Sequence, residues 1–90
     1  MTTTFTRHTV RDYREWREIY DSVVDMQRTG GVTDEAVYRS LDDPNTVLVM
    51  HRFRSPGDAR AFFESEELRA AMSKAGVDES SLRVEMYEET

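Results

Sequence analysis

The stretch Thr46-Val-Leu-Val-Met-His-Arg-Phe53 decides how this chain folds. Turn signals bound it on both sides, Asp43-Pro44-Asn45 before and Ser55-Pro56-Gly57 after. Side chains of a strand alternate between two faces. Val47, Val49 and Phe53 therefore share a row with His51, while Leu48 and Met50 share the other with Arg52. A strand apolar on both faces needs a cover on each. A chain of 90 residues supplies helices for one face and has little left for the other. The stretch thus predicts a partner molecule.

Outward from it, the Asp42–Asn45 turn leads back to Glu35–Leu41, a strand in which Val37, Arg39 and Leu41 alternate with Ala36, Tyr38 and Ser40. The two strands form a hairpin. In the forward direction Ser55 is an N-cap, Pro56 fits the first helical position and Asp58 the third. The helix they start has Ala59, Phe62 and Phe63 as its apolar side. Ser65 caps a second segment with Leu68, Ala71, Met72 and Ala75 at helical spacing, and Gly76-Val77 ends it as a Schellman stop. After the loop Asp78–Ser81, Leu82–Glu88 is a last strand with Leu82, Val84 and Met86 inward and Arg83, Glu85 and Glu89 outward; Tyr87 fits either row.

At the other end, Thr2–Val10 is a threonine-rich strand with Phe5 in one row and His8 and Val10 in the other. Asp12 is an N-cap, and Glu15 stands at capping-box spacing. One helix runs from there to about Arg28, with Tyr13, Trp16, Ile19, Tyr20, Val23, Val24 and Met26 filling an arc of roughly 160°. Gly30 is the expected left-handed cap.

The order β-α-β-β-α-β is the split βαβ, ferredoxin-like arrangement of the α+β class, residues 1–90 forming one domain. Right-handed crossovers put the first and third strands at the centre of a four-stranded antiparallel sheet. Both helices then lie on one face. Apolar area left bare costs about 25 cal/mol per Å², so a homodimer joined through the open sheet face is the expectation.

Composition narrows the function classes. The chain has no cysteine, which removes thiolate metal sites and disulfides, and its two histidines lie too far apart for a dedicated zinc site. A net charge of −6, spread along the chain, argues against nucleic acid. There is no apolar leader and no run near the ~20 apolar residues of a membrane span, so the expectation is a soluble cytoplasmic protein. Lys74 is the only lysine, a bias of GC-rich, for instance actinobacterial, genomes. No Gly-x-Gly-x-x-Gly, P-loop, Gly-x-Ser-x-Gly or His-Glu-x-x-His is present, and no cofactor or metal is expected.

Three segments carry a resemblance: Arg7–Asp21 (RHTVRDYREWREIYD), Val37–Asn45 (VYRSLDDPN) and Glu67–Val77 (ELRAAMSKAGV). They resemble the dimeric α+β barrel superfamily of antibiotic-biosynthesis monooxygenases and its small bacterial, cyclase-like members. The resemblance implies a ferredoxin-like fold, dimerisation and a ligand cavity between helices and sheet. For activity it implies a wide range, from cofactor-free oxygenases to haem degradation, lactone isomerisation and cyclisation. Oxygenases of that superfamily typically use an Asn on the sheet and a Trp on the second helix. Here the only Trp is Trp16, on the first helix, and the only Asn is Asn45, in a turn. No monooxygenase residue carries over, and neither does the haem-degrading His of the second helix.

In that cavity His8, close to the first helix, is the candidate acid–base group, because a neutral imidazole titrates near working pH. The bland alternative bonds it to Asp12 or Tyr13. His51 lines the cavity if its row faces the helices, and the dimer core if not. A stagger of two to three residues between the histidines makes a catalytic or metal pair a poor expectation. Trp16 and Tyr20, one turn apart, fit a planar ligand, although aromatics at helical spacing are more often core. Phe63 edges the cavity or packs. Tyr38 would donate to a carbonyl and Arg39 would hold an acid, unless both are surface residues. The leading reading is a cofactor-independent cyclase, isomerase or oxygenase of natural-product biosynthesis, acting on a hydrophobic aromatic or polyketide-like small molecule. Its rivals are a non-catalytic metabolite-binding dimer and a structural domain filled by its own aromatics.

Overall fold

The computed structural model describes residues 1–90. Strand β1 (Thr2–Thr9) leads into helices α1 (Tyr13–Ser22) and α2 (Val24–Thr29), then strands β2 (Val32–Arg39) and β3 (Thr46–Phe53). Helices α3 (Pro56–Glu64) and α4 (Glu66–Lys74), a 3₁₀ turn at Glu79–Ser81 and strand β4 (Arg83–Glu88) complete the chain. The sheet order is β2-β3-β1-β4, antiparallel throughout. The fold is therefore ferredoxin-like α+β, with β3 and β1 central.

Register assigns every side chain to a face. β1 and β3 pair from Thr2↔Phe53 to Thr9↔Thr46, so Thr2, Thr4, Thr6 and His8 share a face with Val47, Val49, His51 and Phe53. All eight are buried. This is the face the helices cover. Val10, Trp16, Tyr20, Val47, Val49 and Ala75 form one core cluster, and Phe53, Ala59 and Phe62 the other. The opposite face carries Phe5, Ala36, Leu48 and Met50, all half-buried, with Tyr38 and Tyr87 exposed at its edges. No element of this chain lies over it.

Several local expectations hold. Ser55 and Ser65 accept from the amides of Asp58 and Leu68 at 3.1 Å each, so two caps start α3 and α4. Gly76 takes φ +77, and the Val77 amide donates to the Met72 carbonyl at 3.1 Å, closing the Schellman stop. Asp12 accepts from the Arg14 amide at 3.0 Å. Glu15 does not close the capping box: its carboxylate pairs with Arg11 at 3.1 Å.

Four expectations are corrected. The first helix is not continuous to Arg28 but breaks at Val23. There the Ser22 hydroxyl donates to the Ile19 carbonyl at 2.6 Å and two β-branched residues follow, which weakens the helical ladder. The left-handed residue is Gly31 (φ +100); Gly30 has φ −76 and serves close packing instead, since a Cβ there would stand 2.6 Å from Phe62. β2 starts at Val32 and ends at Arg39, because Ser40 closes the turn by donating to the Thr46 carbonyl at 2.9 Å. Leu41 is thereby left fully exposed. Val84 and Met86 do share the helical face, opposite Thr6 and Thr4, yet remain 37% and 40% exposed because no helix reaches over β4.

Candidate functional site

The alternation that puts His8 and His51 in the inward rows of β1 and β3 also puts them under α1. His8 lies beside Trp16, ring centroids 5.8 Å apart. Trp16 stacks on Tyr20 at 4.9 Å, and the Tyr20 and His51 rings are near-parallel, 3° apart in plane, at 6.3 Å. On its other side His51 meets Phe62 edge-on at 5.5 Å and Phe63 at 6.4 Å. An aromatic row thus runs from one histidine to the other.

This row lines an apolar pocket between helices and sheet. Its walls are Thr6, His8, Trp16, Tyr20, Val49 and His51 with Phe62, Phe63 and residues of α2 and α4, and it encloses about 60 Å³. A groove of about 400 Å³ adjoins it between α4 and β4, sharing Thr6, Phe63, Leu68 and Met72. The deep part is smaller than the ~150 Å³ that holds a benzene ring; the groove is large enough for a small ligand.

The polar groups of the pocket are short of partners. Neither ring nitrogen of His8 has a hydrogen bond, nor have His51 Nδ1 and the Thr6 hydroxyl. Buried polar groups are normally paired, and four of the six unpaired buried side-chain atoms belong to residues of this one cavity. The bond from His8 to Asp12 or Tyr13 considered above does not form. Burial pushes both imidazoles from 6.5 down to about 4, since a low-dielectric site disfavours the charged form; at His51 the Glu35 carboxylate opposes this. Both rings are neutral at physiological pH.

Tyr20 is the hub. Its hydroxyl donates to Glu35 Oε1 at 2.7 Å and lies 3.4 Å from His51 Nε2. Its pKa is raised, first by burial and then by the Glu35 carboxylate, so the phenol keeps its proton.

His8, Trp16, Tyr20, His51 and Phe63 are brought together here. Tyr38 is not: Val37 takes the inward position opposite Val49, so Tyr38 points outward opposite Leu48 and is 54% exposed. Arg39 stands over the Tyr13 ring at 3.9 Å and bonds the Pro44 carbonyl. The stagger between the histidines is four residues, Val47 facing His8 and His51 facing Thr4. That is about 13 Å along the strand, too far to share a metal ion.

Sequence reasoning missed Thr6, Gln27 and Glu35. Thr6 was legible, standing two residues before His8 in the same row. Gln27 was legible too, since it stands seven residues after Tyr20 on the same helical face, and it is buried in the pocket wall. Glu35 looks like a surface residue until pairing with His51 places it beside Tyr20.

These elements define a ferredoxin-like α+β fold, similar to that of solved antibiotic biosynthesis monooxygenases. SnoaB, a cofactor-independent oxygenase from Streptomyces nogalater, superposes with TM-score 0.80 at 12% identity, over 99% of this chain and 92% of that one. A proposed antibiotic biosynthesis monooxygenase from Bordetella bronchiseptica also gives 0.80, at 13% identity over 99% and 96%. A conserved protein from Methanosarcina mazei Go1 gives 0.78, at 14% identity over 99% and 92%. At such identities the likeness is one of fold. The chain itself belongs to the family described as Domain of unknown function (DUF3764), whose model matches residues 1–89. No curated protein matches the chain in sequence. No helix is long and apolar enough to cross a membrane.

Proposed function

We propose that this protein is a cofactor-independent enzyme that carries out cyclisation, isomerisation or oxygenation of a neutral, hydrophobic, aromatic or polyketide-like metabolite. The observation that carries this reading is the pair of buried, neutral imidazoles with free ring nitrogens in an otherwise apolar pocket. Such a site binds planar apolar ligands, excludes water and offers proton donors and acceptors without fixed charge. Trp16, Tyr20 and Phe63 provide the stacking walls, and His8 exchanges a proton or hydrogen bond with a ligand oxygen. SnoaB, which shares the fold, is a cofactor-independent oxygenase, and this supports the general kind of chemistry. The working unit in this reading is a cytoplasmic homodimer joined through the open sheet face.

The test uses 2-naphthol, a neutral aromatic alcohol, and follows the emission of Trp16, the only tryptophan. Saturable quenching is expected. No change up to the solubility limit would sink the pocket as a ligand site. Turnover is tested with anthrone, an enolisable polycyclic ketone, for which His8→Ala should lose about 100-fold or more while 2-naphthol still binds.

A non-catalytic metabolite-binding dimer is the second reading, favoured by the small enclosed volume of about 60 Å³. It predicts that 2-naphthol binds and that the parent protein does not turn anthrone over.

A further inference from the structure

A proton taken up in this pocket needs a way out, because burial opposes a charged imidazole in either histidine. The wall between the pocket and solvent has a particular composition. Tyr20, Gln27 and His51 line the pocket, while Gln27 and Glu35 line a separate open hollow between α2 and β2. Tyr20 bonds Glu35 at 2.7 Å across that wall and approaches His51 Nε2 at 3.4 Å. Glu35 is exposed, and His51 is buried. The Arg17 guanidinium stands 5.4 Å over the Tyr20 ring and pairs with Asp21 at 3.1 Å, outside this line.

Proton counting narrows the tautomer. A carboxylate only accepts, and a phenol has one proton. That proton goes to Glu35, the shorter contact. The Tyr20 oxygen is then left to accept, with His51 Nε2 at 3.4 Å and the Gln27 side chain as its neighbours, and acceptance from His51 requires the proton on Nε2. Nδ1 is left as a bare, buried lone pair, in keeping with its lack of any partner.

We propose that His51, Tyr20 and Glu35 form a proton relay through the pocket wall, with His51 Nδ1 the base facing substrate and Glu35 the outlet to solvent. It rests on the reading of the pocket as a reaction chamber. A substrate C–H or O–H gives its proton to Nδ1, and the bonding pair stays on the substrate as an enolate or phenolate. As that bond forms, the Nε2 proton moves to the Tyr20 oxygen and the Tyr20 proton moves to Glu35. The imidazole changes tautomer and never holds two protons, and Tyr20 ends as it began. The net change is one proton from substrate to the Glu35 carboxylate, from which it passes to water. The imidazolium that burial opposes is thereby bypassed, and the negative charge passes from the Glu35 carboxylate to the substrate oxygen. The reverse relay returns a proton to a different carbon, which is an isomerisation. His51 is the catalytic residue in this scheme; Tyr20 and Glu35 act through it as positioning and relay residues. His8, about 13 Å along the strand, is left to hydrogen-bond an oxygen at the far end of an extended substrate.

The test needs no substrate. ¹⁵N spectra of the histidine rings in the full-length protein at neutral pH should show His51 with a protonated Nε2 and a bare Nδ1. An Nδ1–H tautomer or an imidazolium would overturn the relay. Tyr20→Phe keeps the ring and removes the oxygen, and should leave His51 a mixture of tautomers; retention of the pure Nε2–H form would overturn it. Glu35→Gln lies on the exposed side and keeps an acceptor for Tyr20, so the tautomer should persist while the His51 Nε2 proton exchanges with water at least tenfold more slowly. Unchanged exchange would overturn the outlet, and this variant decides the matter should Tyr20→Phe fail to fold. Failure here with 2-naphthol still bound removes only the relay. Failure of 2-naphthol to bind, with the tautomer as stated, removes only the proposed function.

Discussion

His8 and His51 fold as neutral rings, and that makes acid the weak point of the protein. In the unfolded chain each titrates near 6.5, in the folded one at about 4. Above 6.5 neither state binds the proton and the full stability is present. As pH falls from 6.5 towards 4 the unfolded chain is protonated first, and stability drops by about 3 kcal/mol per histidine. Below 4 both states are charged and this loss stops growing. Urea midpoints measured between pH 7 and 4.5 should fall steeply, and less so in His8→Leu; a flat profile for the parent protein would contradict the burial of neutral imidazoles. Gly30 makes a second prediction at this scale. Its φ of −76 suits alanine, yet the added Cβ would meet Phe62 at 2.6 Å. Gly30→Ala should therefore cost about 1–3 kcal/mol by overpacking, whereas a helical glycine without that neighbour would gain from the same change. Chemical denaturation distinguishes the two signs.

Among the elements, β3 dominates because it contributes to both sides of the sheet. Val47 and Phe53 have no exposed surface, and Phe53→Ala should cost about 3–5 kcal/mol, read as a lower melting temperature. This strand, its two turns and the caps at Ser55, Ser65 and Gly76 were legible in the sequence because each depends on neighbours within a few residues. So was the row containing His8 and His51, through simple alternation. What was not legible depends on distant pairing. The limits of β2 follow from its register with β3, which carries a shift between Val32 and Asp34. The break at Val23 turns on one serine hydroxyl competing with the helix. Tyr38 was misplaced because its face is decided by Val37 meeting Val49. The contact between Tyr20 and Glu35 crosses fifteen residues of chain and two elements, so no local spacing announces it.

For the whole molecule, the open face of the sheet is the decisive feature. Phe5, Leu48 and Met50 stand on it with nothing of this chain above them. Two such faces packed across a two-fold axis would bury both at once. Met50→Glu places a charge at the centre of that contact and should convert a dimer into a monomer, with light scattering at micromolar concentration as the readout. A parent protein that is monomeric under the same conditions would refute the pairing.

Helix α4 has no fully buried residue, although it roofs the groove with Leu68 and Met72. An element so lightly anchored opens locally at a small fraction of the free energy that unfolds the strands. For a ligand held in the proposed site, residence time would then depend on how often these nine residues open, and not on the affinity of the walls alone. Amide hydrogens of Glu66–Lys74 should exchange well ahead of those in the β1–β3 ladder, and a ligand seated beneath them should slow that exchange selectively.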